Sequence, residues 1–548
     1  MPILNPKTSK KGIAPLLISA LLIALSACTP QNTAVSAAKP ESITVAWPND
    51  ATTLDPAWSA TDQNNEVSMN VYQTLVGYEY RDGDDGSRVA QGLVITPGLA
   101  EKWTIDGSTA TFHLRQNVKF YPSGNPLTAA DVKFSLERNL GKTGGPELTS
   151  SGIYTPQQIE IIDPATVALH YTDAQGSPAP ASPASLAALR FATYGIVDSA
   201  TALSHATTSD PDGGAWLAQN VAGTGPYYID SRTPGQSLTL KAVPGAWSGE
   251  PAFSTVRINV VNDANVSSLL KGNTVNVGLY GLTPKDVNSL RGSGFRAVHA
   301  PTQNYLELQL ASDTGPLANP LVRQAIAHAL PYDKIVQQVY FGDAERSLSF
   351  VSPHASGYTP SWQTYGDPQK ARQLMDQAGS PSINITLQYS NEAATYESTA
   401  LLIKDALDKI GIKVTLQSQT TSTVLSSILA RGSGQTATPA ADMILFNISV
   451  YLEDAKAPTN LWATSHGVLN FSHFSNPKVD ELQKTWASQG PGNERDKAYS
   501  SIQDIAADDA SFLPIATIGR SIVTVPGITG ITFQPEIGVR YSTLVPSK

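Results

Sequence analysis

Apolar and polar positions alternate in short runs from Ile43 onward. SITVAW (Ser42 to Trp47), TVALHY (Thr166 to Tyr171), SLTLKAV (Ser237 to Val243) and TVRINVV (Thr255 to Val261) each read as a strand. In TATFHLRQNVKF (Thr109 to Phe120), Phe112, Leu114, Val118 and Phe120 share faces around an irregular middle. NVGLY, FRAVHA and YLELQLA extend the series. After Ala300 the period changes. Val322, Ala325, Ile326, Ala329 and Leu330 fall at helical spacing within Leu321 to Tyr340. The string from Asp367 to Gly379 carries an N-cap Asp, a Pro at the first helical position and a terminal Gly. INITLQYS predicts a strand. Ile403, Ala406, Leu407 and Ile410 line one helix face, closed by Gly411. IKVTLQSQ, TVLSSILARG and ADMILFNISVY then predict strand, helix and buried strand. Such alternation implies an α/β lobe with a partly parallel sheet. A helix over Glu494 to Asp508 leads into SIVTVP and the C-terminus. GSPAPASPAS (Gly176 to Ser185) and GSGQTATPA (Gly432 to Ala440) read as surface loops.

The first residues follow a different pattern. Lys7, Lys10 and Lys11 precede an apolar stretch, Ile13 to Leu25, that is shorter than the roughly 20 residues a bilayer span needs. Small residues and Cys28 close it in the string LSAC. This is the form of an export signal. It resembles a bacterial lipoprotein signal, which implies cleavage before Cys28 and lipid on that residue. Stable anchoring takes more than one acyl chain, as a lipidated N-terminal cysteine would supply. Thr29 to Ser42 is small, polar and aperiodic, and reads as a tether.

Composition narrows the classes. The chain has 548 residues, enough for two to four structural units, and 41% hydrophobic residues, enough for sizeable cores. Its formal charge of −9 and the lack of a basic stripe argue against nucleic acid as a partner. With one cysteine it holds no internal disulfide, so packing must stabilise it. The eight histidines show no metal-ligand spacing, His466 and His473 being too far apart for a helical pair. No cofactor or resident metal is expected. GKT at Gly141 to Thr143 lacks the earlier glycine of a P-loop, because Leu136 stands there.

Several longer stretches point further. Thr52 to Tyr78, followed by Pro97 to Arg138, resembles the N-terminal region of family 5 solute-binding proteins, the peptide receptors of ABC importers. GTGPYYI (Gly223 to Ile229), NPLVRQAIAHALPYDKIVQQVY, DPQKARQLMDQAG and FSHFSNPKVDEL (Phe471 to Leu482) follow in the family's order. The pieces have bland local roles. Thr128 caps a helix with Asp131 at its third position, and Ser475 or Asn476 caps another with Pro477 in its first turn. The resemblance implies an α/β, two-lobed clamp of the class II periplasmic-binding-protein type with an extra inserted subdomain. By analogy, lobe I combines residues 43–72, 221–305 and 520–548, the insert spans 73–220, and lobe II spans 306–519. Residues 1–27 are the signal and 28–42 the tether.

The resemblance also implies a site. Related receptors carry an aspartate four residues before a proline, and it holds a peptide's α-ammonium. Asp454 has that spacing to Pro458 and follows the apolar strand MILFNI, where strand ends collect ligands. Burying an ammonium needs such an opposite charge. Asp454 can equally cap a helix. The family often has Trp three residues earlier; here Tyr451 stands there. Leu452 would offer backbone groups to an extended ligand. Ala60 to Asp62 aligns with a loop that contacts peptide backbone, and Asn304 and Tyr305 lie at the expected hinge. The expectation is therefore a lipid-anchored, monomeric receptor that passes a short peptide to an ABC permease and makes or breaks no bond. An oligosaccharide, with the eight tryptophans as candidate platforms, or a metal chelate is the alternative ligand. The enzymatic rival is a penicillin-binding enzyme. It would need Ser475 to Lys478 as its S-x-x-K, yet that string follows the partial match SNE (Ser390 to Glu392) and KTG (Lys142 to Gly144) instead of leading them.

Overall fold

The computed structural model describes residues 41–547, apart from 60, 84, 143, 262–264, 436, 450–453, 488 and 491. Cys28, Ala60, Tyr451 and Leu452 therefore lie outside the described residues. An 11-stranded sheet forms the backbone of the molecule. From one edge its order is Ile412–Gln419, Ile383–Ser390, Met443–Ser449, Arg296–Leu310, Phe512–Thr524, Val277–Gly278, Ser42–Trp47, Thr255–Val260, Ser237–Ala242 and Tyr227–Thr233. Ala344–Arg346 pairs off this path with Phe512–Thr524. The expected mixture is present: Ile383–Ser390 runs parallel to both neighbours, and the two long central strands run antiparallel.

Those two strands, Arg296–Leu310 and Phe512–Thr524, join separate hydrophobic cores. Their N- and C-terminal ends, respectively, carry Val298, Ala300 and Ile522 into a core with Val45, Trp47, Leu240 and Ile258. Their other ends carry Leu306, Leu308, Leu513 and Ile515 into a core with Ile326, Leu387, Ile403 and Trp462. A third core is built from residues between these segments. There the hairpin Val76–Asp82 and Arg88–Pro97 adjoins an antiparallel sheet ordered Ala100–Asp106, Thr109–Leu114, Thr166–His170, Ile159–Asp163. The central ladder is irregular between Pro301 and Asn304, where the strands pass from one core to the other. An interrupted register loosens a ladder and lets the strands bend.

Local chemistry explains most element boundaries. Thr128 and Asp131 form the expected capping box of helix Ala129–Leu140. Asp367 caps Pro368–Gln377, and Asn476, rather than Ser475, caps Pro477–Trp486. The string Ser475 to Lys478 is thus a helix start. Two runs differ from expectation. Leu321 to Tyr340 is not one helix: Pro320–Ala329 ends at Leu330, whose backbone is extended (φ −58°, ψ 133°). Pro331 follows, and a residue before proline is driven out of the helical region. A short turn over Tyr332–Lys334 and a π-helical turn over Ile335–Val339 complete the run. The loop expected over Gly176 to Ser185 gives way to a short helix, Pro183–Ala188. Ser182 supplies its cap and Pro183 its preset first φ.

Candidate functional site

A cavity of about 850 Å³ lies where the two long strands pass between the cores. The hairpin contributes Arg81 and Asp85 to its walls, and the long strands contribute His299, Asn304, Thr517 and Arg520. Glu345 and the segment Ser352 to His354 close it from the side of the larger core, and Phe533 to Glu536 from the C-terminal segment. Its size falls in the range of clefts that bury most of a small ligand.

Close contacts join the wall at the crossing. The His299 ring lies against Gly519 of the neighbouring strand, so closely that a Cβ there would fall 1.6 Å from the ring. Glycine is required by that approach. The His299 backbone N–H donates to Asp85 Oδ2 (2.9 Å), and Arg296 Nη2 donates to the Asp85 carbonyl (2.6 Å). The hairpin tip is thereby pinned to the crossing strand. Asp343 accepts from Arg291 (2.8 Å), and its Oδ1 lies 3.9 Å from His299 Nδ1. Burial holds the His299 imidazole below its usual pKa, despite the pull of Asp343 and Glu345. Glu536 is buried in the wall, accepts from the Tyr78 hydroxyl (2.5 Å) and the Ala192 N–H (2.7 Å), and has its carboxyl pushed up by burial.

The sequence-nominated residues divide. Asn304 lines the cavity. Its Oδ1 accepts from Asn447 Nδ2 (2.9 Å), and the Tyr396 hydroxyl donates to Asn447 Oδ1, which sets the orientation of both amides. Asp62 opens helix Asp62–Val71; burial raises its carboxyl while Arg520, a wall residue, opposes that shift. Tyr305 is packed into the larger core. Asp454 follows strand Met443–Ser449 and is not among the described wall residues. It forms a β-bridge with Ser356, two residues beyond His354 of the wall. Its Oδ1 accepts the Lys456 N–H (2.7 Å), ahead of helix Lys456–Trp462, and the Arg495 Nη2 (2.6 Å). Asp454 therefore holds a backbone N–H at the helix start and is one half of an ion pair. Sequence reading missed Arg520, His299, Glu345 and Arg495. An arginine inside the apolar run of Phe512–Thr524 was the one available signal for Arg520.

Residues 94–470 match the family model described as "Bacterial extracellular solute-binding proteins, family 5 Middle". The chain belongs to that family. It is 27% identical over 524 residues to the protein named "Probable D,D-dipeptide-binding periplasmic protein DdpA" of Escherichia coli K12, covering 94% of this chain and 96% of that one. A dipeptide-binding protein of the same organism is 27% identical, with 77% and 81% covered. Among solved structures, the ABC transporter substrate-binding protein CtaP of Listeria monocytogenes superposes with a TM-score of 0.78 at 21% identity, over 93% of this chain and all of that one. The periplasmic binding protein DppA of Helicobacter pylori, in complex with the peptide STSA, gives 0.68 at 22% identity, over 93% and 99%. The fold is accordingly the two-lobed, mixed α/β clamp of these receptors. The cavity lies beside the two strands shared by its two larger cores.

Proposed function

We propose that this protein captures a short peptide between its lobes and delivers it to an ABC permease, tethered outside the cytoplasmic membrane by lipid on Cys28. The observation that carries the reading is the cavity itself. Its walls come from both lobes, and its back is the pair of strands that must bend when the lobes move. Peptide-binding relatives spanning nearly the whole chain support the ligand class. Asp454 would hold the ligand's α-ammonium. Asn304, Tyr305, Asp62, Ala60, Tyr451 and Leu452 would shape the rest of the site. The lobes would divide at residues 72/73, 220/221, 305/306 and 519/520. Capture changes no bond. The ligand shifts the clamp toward its closed form only by binding that form more tightly than the open one. A monomer suffices for this.

Native mass spectrometry of the purified protein tests the ligand class: co-purifying masses should be those of peptides of a few residues. Added peptide at 100 times its Kd should stabilise the fold by about 2.7 kcal/mol. Retained sugars or metal chelates, with no peptide effect on melting, would refute the peptide reading. Cys28→Ala should move the protein from the membrane fraction to the soluble one; unchanged partitioning would refute the anchor.

A further inference from the structure

A second cavity, of about 230 Å³, shares no wall residue with the first. Its walls come from the end of helix Asp62–Val71, the hairpin and the segment 190–195. Tyr78, Tyr80 and Trp247 line it together with Arg190 and Arg540, and none of its described wall residues is acidic. Arg190 is the exception among the buried arginines. Arg138, Arg323, Arg431 and Arg495 each hold a carboxylate at 2.5 to 2.8 Å. Arg190 is 3% exposed and has no ion pair among the described residues. Its Nε donates to the Ala187 carbonyl (2.9 Å) and its Nη1 to the Val94 carbonyl (2.8 Å), with the guanidinium 4.5 Å from the Tyr78 ring centre. Nη2 has no acceptor among the described residues, and it is not sealed from solvent.

Donors exceed acceptors on the other side of the cavity as well. Gln534 Oε1 receives Arg540 Nε (3.3 Å), Arg540 Nη2 (3.0 Å) and the Tyr80 hydroxyl (3.2 Å). An amide oxygen has about two lone-pair sites. Glu536, behind the Tyr78 hydroxyl, has its carboxyl pushed up by burial and is a poor counter-charge. A buried charge without a partner is costly. Water would supply an acceptor but no charge; an anion supplies both. Aromatic walls favour an anion with an apolar body. We propose that this cavity is a second binding site, which takes a small organic carboxylate. Arg190 and Arg540 meet its charge, and Tyr78, Tyr80 and Trp247 surround its body. The volume lies below the roughly 300 Å³ at which sites for drug-sized molecules begin, which keeps the guest small.

Calorimetry on the full mature protein tests the site with benzoate and the smaller isobutyrate, each against its neutral amide. At least one acid should bind, and its amide should bind at least tenfold more weakly. Arg190→Met and Arg540→Gln should each weaken that acid at least tenfold. Arg540 is half-buried, so its variant decides the matter if Arg190→Met does not fold. Arg520→Gln, in the wall of the larger cavity, should leave the affinity unchanged. Binding lost in Arg520→Gln but kept in Arg540→Gln would put the anion in the larger cavity and overturn the proposal. So would a wild type that binds neither acid, amides bound as well as acids, or inorganic phosphate bound as tightly as the acid.

Discussion

Two buried arginine–aspartate pairs use their hydrogen-bonding capacity differently. Arg138, on helix Ala129–Leu140, meets Asp55 of the N-terminal segment; the side chains are 3% and 0% exposed. Its Nη1 and Nη2 donate to the two Asp55 oxygens (3.0 and 2.6 Å), and its Nε donates to Asp212 (2.8 Å). Asp55 also caps the turn Pro56–Trp58. All three guanidinium nitrogens are used. Arg495 is as deeply buried, yet uses one nitrogen, and its partner Asp454 is 13% exposed. The first pair leaves no guanidinium nitrogen unmet; the second leaves two, at some expense in stability. The same contrast separates two buried glutamates. Glu66 accepts from the hydroxyls of Tyr280 (2.7 Å) and Tyr541. Glu307 accepts from Gln309 alone among the described residues (2.6 Å), and its Oε2 has no partner among them.

The contrast can be broken by substitution. Arg138→Met should cost the most, about 3–5 kcal/mol in urea melts, because it strands a buried carboxylate. Arg495→Met should cost clearly less, since Asp454 keeps its backbone donor and some water. Equal losses would erase the distinction between the two pairs. Asp454→Asn strands the buried Arg495 guanidinium and should lower the melting temperature; if Asp454 anchors a peptide's ammonium, it should also weaken trialanine by about 2–3 kcal/mol in calorimetry. A large drop in melting temperature with unchanged affinity would assign Asp454 to the scaffold.

The smaller effects are pH-dependent. Burial lifts the Glu307 carboxyl to about 7. The folded state then holds its proton more tightly than the unfolded chain, so this contribution is complete below about 4.5 and is lost as pH rises through 7. Glu307→Gln should flatten that slope, and at pH 8 it should be more stable than the wild type by about 2 kcal/mol. Glu66, also lifted to about 7 by burial but with two phenol donors, should gain less from the same change. Melts at pH 5 and 8 separate the two. His299 has the opposite sign. Its pKa is depressed by burial, so the unfolded chain binds the proton more readily and stability falls as pH drops below about 6.5. His299→Gln should remove that acid slope; a steeper acid loss in the variant would reverse the assignment.

The sequence by itself determined the parts whose physics is local. Thr128 with Asp131, Asp367 with Pro368, and Asn476 with Pro477 act within four residues of their helix starts, so the chain could be read at those points without its partners. The order of such pieces was enough for the family. Tertiary structure alone decided what faces the cavity. His299 meets Ser521 across 222 positions of sequence, and Asp454 finds Arg495 on a helix 41 residues away. Whether a strand residue points into a core or a cleft depends on which distant strand it pairs with and where the register breaks, as it does between Pro301 and Asn304. No local period encodes that pairing, which is why the clamp was legible in the sequence and, Asn304 apart, the described lining of its cleft was not.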